Sequence, residues 1–215
     1  AAGTSARQAS QVFGPIPIDG FEIDPEIIRV GREYFDMNQP NLNVYVQDGR
    51  WGLEHSQQRY QVISVDAYRP PYIPWHLATR EFFQAVQAHL TEDGVMVINV
   101  GRAPGDRRLI EALSSTILTV FPTVHVVDIP RTFNSILYAS AQPTSASQFR
   151  TNSQRLQPRS DLHPLLSHVL QVVDQNLQPA PQAGPVFTDD LAPVEGITND
   201  MVMRFLFTGN TEILK

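Results

Sequence analysis

The sequence predicts an α/β fold in which a mostly parallel sheet carries helices on both faces. Two observations lead to this expectation. Over the first 140 residues, short apolar runs of strand length alternate with amphipathic segments of helix length. Two further apolar runs, at 124–128 and 135–140, follow each other across a short connection, which favours an antiparallel closing strand.

Each element is predicted from its own pattern. Strands are expected at 16–21, 43–46, 60–66, 95–100, 124–128 and 135–140. Helices are expected at 25–35, 79–90 and 109–121, because apolar residues recur there at helical spacing. Pro25 suits the first position of a helix, and Asp93-Gly94 is typical of a turn.

The chain divides by composition into three segments. Residues 1–140 contain all the predicted strands and form the predicted α/β domain. Residues 141–160 are polar and short of large apolar groups, which indicates a loop or linker. Residues 161–215 form a helical C-terminal extension, with helices expected at 162–177 and 197–207.

Composition excludes several classes of protein. The chain has 215 residues, 42% of them hydrophobic and none of them cysteine, which predicts one sizeable core and excludes a disulfide scaffold. The formal net charge of −6 disfavours nucleic-acid binding. No apolar run approaches the ~20 residues of a membrane helix, and no signal peptide is visible. We expect a cytoplasmic protein, or the soluble part of a membrane-associated one.

Acidic residues end three successive predicted strands, at Glu22, Asp48 and Asp66. The carboxyl ends of parallel strands face the ligand crevice in such folds. Gly3 opens a turn before a helix-like segment, and an acidic residue follows ~20 positions later, which is typical of nucleotide binding. Taken singly, these are also a capping turn, an exposed glutamate and an ordinary Asp48-Gly49 turn. Three acidic strand ends together favour a site.

Other patterns give no second site. The six histidines show no pair at i, i+4 with a third ligand, so no metal is predicted. A basic group before the helix at 109–121 is expected to be a solvated helix start: Arg102, Arg107 and Arg108. An acidic group near the end of the chain either attracts a cationic substrate or lies in a solvated loop: Asp189, Asp190 and Glu195.

Three stretches resemble spermidine synthases (polyamine aminopropyltransferases): GFEIDPEIIRVGREYF, VYVQDGR and YQVISVDAYRPPYIPWHLATREFFQAVQAHLTEDGVMVINV. The likeness is to the divergent bacterial spermidine-synthase-like branch and covers about residues 2–140; TDDLAPVEG resembles the tail of that branch. The resemblance implies a class I methyltransferase-like Rossmann fold. It also implies a transferase of polyamine biosynthesis that moves an aminopropyl group from decarboxylated S-adenosylmethionine to an amine.

The resemblance assigns roles to the strand-end residues. Glu22 is expected to bind the ribose hydroxyls, and Asp48 with Gly49 to meet the adenine edge. Gly3 is expected to line the turn near the sulfonium. Asp66 matches the catalytic carboxylate that holds and deprotonates the attacking amine, a base that the reaction requires because an ammonium cannot attack.

The acceptor side departs from the family pattern. Where the family has Asp-Ser-x-Asp, this chain has Asp66-Ala67-Tyr68-Arg69, so an arginine replaces the second carboxylate. A guanidinium about 4 Å from an ammonium costs about 1 kcal/mol in water. Either Arg69 turns to solvent or the acceptor is anionic. The other candidates for the acceptor pocket are Tyr68, Tyr72, Trp75 and His76, for which a packed lid loop is the alternative interpretation.

The start of the chain also departs from the pattern. The family has a central strand before the glycine turn, and this chain begins inside that turn. A sheet without its central strand leaves buried backbone groups unpaired. We therefore expect an upstream segment or a protein partner to supply the first strand, and a homodimer is a further expectation.

Three functions remain open at this point. The first is the aminopropyl transferase. The second is a methyltransferase that uses S-adenosylmethionine on a small molecule, which Arg69 mildly favours. The third is a non-catalytic accessory subunit of a larger assembly, motivated by the missing strand and the lost carboxylate.

Overall fold

The computed structural model describes residues 3–69 and 71–208, which fall into two compact units. The first unit contains the described residues up to Gln57 together with Asp161–Ser167. The second contains Gln58–Ser160 and the described residues from His168 onward. Each unit contains its own sheet.

The first unit begins as an alternation of helices and strands. Its elements are α1 (Thr4–Phe13), β1 (Ile18–Glu22), α2 (Pro25–Tyr34), β2 (Leu42–Val46) and α3 (Gly49–Glu54). Strands β1 and β2 pair in parallel, with Ile18 opposite Leu42 and Glu22 opposite Val46. The carboxyl ends of both strands therefore lie at one edge of this sheet.

Local chemistry fixes the start of α2. The side chain of Asp24 accepts a hydrogen bond of 2.8 Å from the backbone N–H of Glu26, which satisfies one of the unpaired donors of the first turn. Pro25 occupies the first helical position, as predicted, where its missing N–H costs nothing. Ile28 and Gly31 form the buried face of the helix.

The second unit contains a four-stranded mixed sheet. Its elements through the sheet are β3 (Tyr60–Val65), a 3₁₀ helix (Trp75–Leu77), α4 (Arg80–His89), β4 (Leu90–Gly101), α5 (Arg108–Leu118), β5 (Thr123–Asp128) and β6 (Asn134–Ser140). The strand order is β3-β4-β6-β5, with β3 parallel to β4 and β6 antiparallel to both β4 and β5. The predicted α/β fold with an antiparallel closing pair is confirmed.

The core of the second unit lies against β4. Met96, Ile98 and Val100 alternate along this strand and are fully buried. Helix α4 contributes Phe83 and Val86, and the face of α5 that includes Leu113 and Ile117 is also buried. Each such side chain stabilises the fold by about 1.5–3 kcal/mol relative to leaving it exposed.

Three helices follow the sheet: α6 (Ala146–Leu156), α7 (Pro164–Asn176) and α8 (Val194–Thr208). The last two match the helices predicted at 162–177 and 197–207. Helix α6 lies inside the segment interpreted as a loop or linker. The helix begins after Ser145, whose hydroxyl accepts the N–H of Gln148 at 3.2 Å and acts as the N-cap. The sequence analysis missed this helix because the segment is polar and has few large apolar residues. The division of domains at residues 140 and 160 stays a prediction.

The predicted turn at Asp93-Gly94 lies within β4. Tyr60 pairs with Leu90 and Val62 with Val95, so the register between β3 and β4 shifts across this stretch. A Cβ added to Gly94 would come within 2.9 Å of the Leu90 side chain, so a close approach requires glycine here. The residues typical of a turn mark an irregularity in a continuous strand.

Among the described residues, both sheets are open, and β3 is one of the edge strands. In the described part of the chain, β1 pairs with β2 alone and β3 with β4 alone. Val62 on β3 is 59% exposed.

Within residues 3–69 and 71–208, no helix is long and apolar enough to cross a membrane.

Candidate functional site

Glu22 ends β1 with a carboxylate that is only partly engaged. Its Oε1 accepts the backbone N–H of Asp24 at 3.0 Å, which orients the side chain at the strand end. Among the described residues, Glu22 makes no other hydrogen bond to a side chain or backbone donor through its carboxylate. One half-buried carboxylate oxygen is thus available to a hydroxyl of a ligand.

Asp48 follows β2 and begins α3. Its Oδ1 accepts the N–H groups of Arg50 at 2.9 Å and Trp51 at 3.0 Å, so the carboxylate is the N-cap of this helix. Gly49 is the first helical residue, and a Cβ added there would meet nothing within 4 Å. Packing within the chain therefore does not require this glycine, and the open space beside it suits a flat ligand.

Gly3 is required by local geometry. Its φ of 70° is in the left-handed region, and an added Cβ would lie 2.7 Å from Cγ of Met37. Its carbonyl accepts the N–H of Arg7 at 2.9 Å, and no side chain caps α1. The remaining N–H groups of the first turn are donors of the kind that nucleotide sites use.

In the second unit, Asp66 follows β3 and is held by Asn99. Oδ1 of Asp66 accepts Nδ2–H of Asn99 at 2.9 Å, and the side chain is exposed. The hydroxyl of Tyr68 donates to the backbone carbonyl of Asn99 at 2.9 Å. Asn99 thus links two residues that the sequence singled out, and its own Oδ1 is buried without a hydrogen-bond donor among the described residues.

Asn99 was missed by the sequence analysis. The signal was present, because Asn99 is the one polar side chain in the apolar run VMVINV, near the carboxyl end of β4. A polar residue at that position of a buried parallel strand faces the same edge as Asp66.

Burial raises the pKa of Tyr68 to about 12. The backbone of Gly101 acts in the opposite direction, and the negative charge of Asp66 again raises the pKa of this phenol. Tyr68 is therefore protonated at neutral pH and remains a hydrogen-bond donor beside Asp66.

The loop after Tyr68 is anchored at both ends. Arg69 and Tyr72 exchange backbone hydrogen bonds of 2.8 and 2.9 Å, and the Tyr72 hydroxyl donates to Oδ1 of Asn199 on α8 at 2.7 Å. The rings of Trp75 and His76 meet edge-on at 5.8 Å, and Trp75 remains 44% exposed. Tyr72 thus links the loop to α8, and Arg69 is exposed.

The basic group before α5 is not a solvated helix start. Arg102 is only 9% exposed. Arg107 holds Asp128 through two hydrogen bonds, of 2.8 and 3.2 Å, and Arg108 pairs with Asp106 and Asp200. The prediction was wrong for Arg102 and Arg107, because their acidic partner Asp128 lies on β5, where a local pattern does not reveal it. Arg108 begins α5, and one of its two partners, Asp106, lies only two residues earlier.

Asp128 is the centre of this ion-pair cluster. Burial acts to raise the pKa of its carboxyl, but hydrogen bonds from Arg107 and Ser135 outweigh burial and leave the pKa below its usual value. The carboxylate therefore stays ionised and is fully occupied by its partners.

In the acidic group near the end of the chain, Asp189 has a structural role, because it contacts residues at the start of α4. Oδ1 of Asp189 accepts the hydroxyl proton of Thr79 at 2.7 Å, and its backbone N–H donates to Glu81 at 3.0 Å. Asp190 is exposed. In the described part of the chain, no group of three or more His, Asp or Glu side chains could hold a metal ion.

Parallel strands that end in acidic residues, on an α/β scaffold, define a Rossmann-like class of protein. The fold is that of class I methyltransferases and spermidine synthases. It is similar to human methyltransferase-like protein 13 in complex with SAH (TM-score 0.58, 23% identity, covering 81% of this chain and 77% of that chain). It is also similar to a probable spermidine synthase from Corynebacterium glutamicum (TM-score 0.65, 22% identity, covering 88% and 71%).

The sequence gives the family. Residues 16–151 match the Spermine/spermidine synthase domain, and the chain belongs to this family. A relative from Bifidobacterium longum, a probable polyamine aminopropyl transferase, is 35% identical over 207 residues, which are 90% of this chain and 46% of the relative. The chain thus spans about half the length of the curated relatives it matches.

Proposed function

We propose that this protein transfers an aminopropyl group from decarboxylated S-adenosylmethionine to an amine. The observation that carries the proposal is the carboxylate of Asp66. One oxygen is fixed by Asn99 at 2.9 Å, and no described residue donates to the other. In a chain of the Spermine/spermidine synthase domain family, this is the arrangement that an attacking amine needs.

The residues around Asp66 suggest how the amine is held. A protonated amine donates one N–H to the second oxygen of Asp66, whose first oxygen Asn99 holds in place. Loss of one proton to Asp66 leaves a lone pair that attacks the carbon next to the sulfonium. The new C–N bond forms as the C–S bond breaks, and 5′-methylthioadenosine leaves with the electron pair on sulfur. Positioning supplies much of the rate, since the sulfonium is a good leaving group.

The first unit supports nucleoside binding by the same logic. The free oxygen of Glu22 suits ribose hydroxyls, and the open space beside Gly49 suits the adenine edge near Asp48. The uncapped first turn of α1, after Gly3, suits the region near the sulfonium. These roles are part of the proposal.

A methyltransferase that uses intact S-adenosylmethionine is the second candidate. The specific observation in its favour is Arg69, which stands where the family has the second carboxylate and is exposed. Competition between the two cosubstrates separates the candidates. An aminopropyl transferase should bind decarboxylated S-adenosylmethionine more tightly than S-adenosylmethionine, and a methyltransferase should show the opposite preference.

The protein's partners and its location in the cell are also part of this proposal. The unpaired edge of β3 and the exposed Val62 suit an additional strand from an upstream segment or a protein partner. A homodimer and a cytoplasmic location, or attachment to a membrane-associated protein, are expected on the family resemblance alone.

The test is a calorimetric titration of the native protein with decarboxylated S-adenosylmethionine and with 5′-methylthioadenosine. Glu22→Gln and Asp48→Asn remove charge and keep shape, and asparagine still caps α3. We expect both variants to bind at least about tenfold more weakly than wild type. Glu33→Gln, an exposed carboxylate on α2, is the matched control and should bind as wild type does.

Turnover is measured in the same preparations. Asp66→Asn should lower kcat about a hundredfold or more and leave nucleoside affinity unchanged. Absence of saturable nucleoside binding by a folded wild-type protein would retire both transferase candidates. Unchanged turnover in Asp66→Asn would remove Asp66 from the reaction.

A further inference from the structure

The second unit contains a cavity of about 310 Å³ beside the residues that surround Asp66. It lies between the end of β4, the loop after β3 and helix α8. Its walls are mainly apolar and include Ile73, Phe133, Met201 and Phe205, with Tyr68 and Arg102 among the polar lining residues. Phe133 and Phe205 meet edge-on at 5.1 Å and close one side.

The cavity has a cation and no carboxylate. None of the described residues that line it is acidic. The neighbouring carboxylates are occupied elsewhere: Asp106 by Arg108, and Asp200 by Arg108 and Arg204. Arg102 is therefore the one charged group that this cavity presents among its described residues.

Arg102 is poorly compensated for a buried charge. Its only side-chain hydrogen bond among the described residues goes to the carbonyl of Thr132, at 3.2 Å. Its Nε is buried without a hydrogen-bond partner, and the nearest carboxylate oxygen, Oδ1 of Asp128, is 3.7 Å away. Asp128 is already held by Arg107 and Ser135. A buried guanidinium that lacks close acceptors gains from a ligand carboxylate.

Tyr68 connects this cavity to the proposed amine site. Its ring lines the cavity, and its hydroxyl donates to Asn99, whose amide holds Asp66. Asp66 is thus linked to a lining residue of the cavity through Asn99. The apolar walls suit a chain of methylene groups.

Building on the function proposed above, we propose that this cavity holds the tail of the amine acceptor, and that Arg102 binds a carboxylate at the end of that tail. The acceptor class is then an ω-amino acid, with an ammonium at one end and a carboxylate at the other. A diamine of equal length would bring its second ammonium to a guanidinium whose neighbouring carboxylate, Asp128, is already held by Arg107 and Ser135.

The first test compares three probes of equal chain length on the native wild-type protein. These are δ-aminovalerate, cadaverine and pentylamine, each titrated in the presence of 5′-methylthioadenosine. We expect δ-aminovalerate to bind at least about tenfold more tightly than the other two, because only its carboxylate pairs with Arg102. Equal or tighter binding of cadaverine, or no binding of any probe, would overturn the inference.

Variants assign the preference to the cavity. Arg102→Met removes the charge at similar length and should abolish the preference for δ-aminovalerate. Arg155→Met, an exposed arginine on α6, is the matched control and should retain it. Val202→Phe fills the cavity from α8 with Arg102 intact and should weaken δ-aminovalerate at least about tenfold. A preference that survives in folded Arg102→Met, or unchanged affinity for δ-aminovalerate in folded Val202→Phe, would contradict the proposal.

Failure of this inference is distinguishable from failure of the proposed function. Saturable binding of 5′-methylthioadenosine together with a preference for cadaverine would reject the carboxylate tail and leave aminopropyl transfer standing. A preference for δ-aminovalerate without nucleoside binding would support the cavity assignment and reject the transferase.

Discussion

Asn99 shows how one side chain can organise a candidate site. Its amide N–H fixes Asp66 and its backbone carbonyl fixes Tyr68, each at 2.9 Å. Its Oδ1 remains buried and unpaired among the described residues, which is costly unless a ligand donates to it. An unpaired polar side chain near the end of a core strand lowers the stability of the fold, so a role in holding the proposed ligand-binding residues Asp66 and Tyr68 explains Asn99 better.

Tyr68 gives a prediction about pH. Its pKa is raised from 10.0 to about 12 in the folded protein, chiefly by burial. The folded state therefore holds this proton more tightly than the unfolded state does. That contribution to stability is complete below about pH 10 and is lost as the pH rises towards 12.

The measurement is urea unfolding at a series of alkaline pH values. Wild type should lose more stability across that window than Tyr68→Phe, which has no phenolic proton to lose. Tyr34→Phe, at an exposed position, should behave as wild type does. Parallel pH profiles for wild type and Tyr68→Phe would show that burial does not hold the Tyr68 proton.

At the scale of elements, the start of α4 depends on residues more than 100 positions away. Thr79 accepts the N–H of Phe82 at 3.3 Å as the N-cap and donates its hydroxyl proton to Asp189 at 2.7 Å. The next residue, Arg80, donates its backbone N–H to the carbonyl of Phe187 at 2.9 Å. The acidic TDD segment is thus part of the scaffold that holds this helix.

Replacement of this cap should be measurable. Thr79→Ala removes a fully buried hydroxyl that caps α4 and donates to Asp189, and should lower the free energy of unfolding by about 1–2 kcal/mol. Thr79→Ser keeps the hydroxyl and should recover most of that loss. Urea denaturation followed by circular dichroism compares the three proteins; equal stability of Thr79→Ala and wild type would show that the cap contributes nothing.

At the scale of the whole molecule, the segment before α8 belongs to the α/β unit. Phe187 is 1% exposed, and its N–H donates to the hydroxyl of Thr116 on α5 at 2.9 Å. Gly184 donates to Ser115 at 2.8 Å, and a Cβ at this glycine would lie 2.7 Å from the backbone of Ala112. The backbone of this segment therefore packs directly on α5.

Two adjacent residues test this integration. Phe187→Ala should destabilise the protein by about 3–5 kcal/mol, because it leaves a cavity in the core. Val186→Ala, whose side chain is 42% exposed, should change stability by less than about 0.5 kcal/mol. Chemical denaturation measures both. Similar, small effects of the two substitutions would mean that the segment is only loosely attached.

Hydrophobic periodicity was sufficient to predict the alternating strands and helices and the antiparallel closing pair, because these elements bury one face each. Strand ends also placed Glu22, Asp48 and Asp66 correctly at the ends of β1, β2 and β3. The partners of these residues were not predictable. Asn99 lies one strand away from Asp66, and the acids that engage Arg107 and Arg108 lie on other elements, so only tertiary pairing reveals them.

The unpaired edge of β3 has a practical consequence. A strand that has one partner strand among the described residues and carries an exposed valine can pair with an extended chain, including another copy of the same protein. Natural sheets protect such edges with lysine, proline or a bulge; β3 (YQVISV) contains neither lysine nor proline, and its one irregularity, between Tyr60 and Val62, lies at the start of the strand. Concentrated preparations are therefore at risk of aggregation through β3. Co-expression with a chain that pairs with β3 should reduce this aggregation.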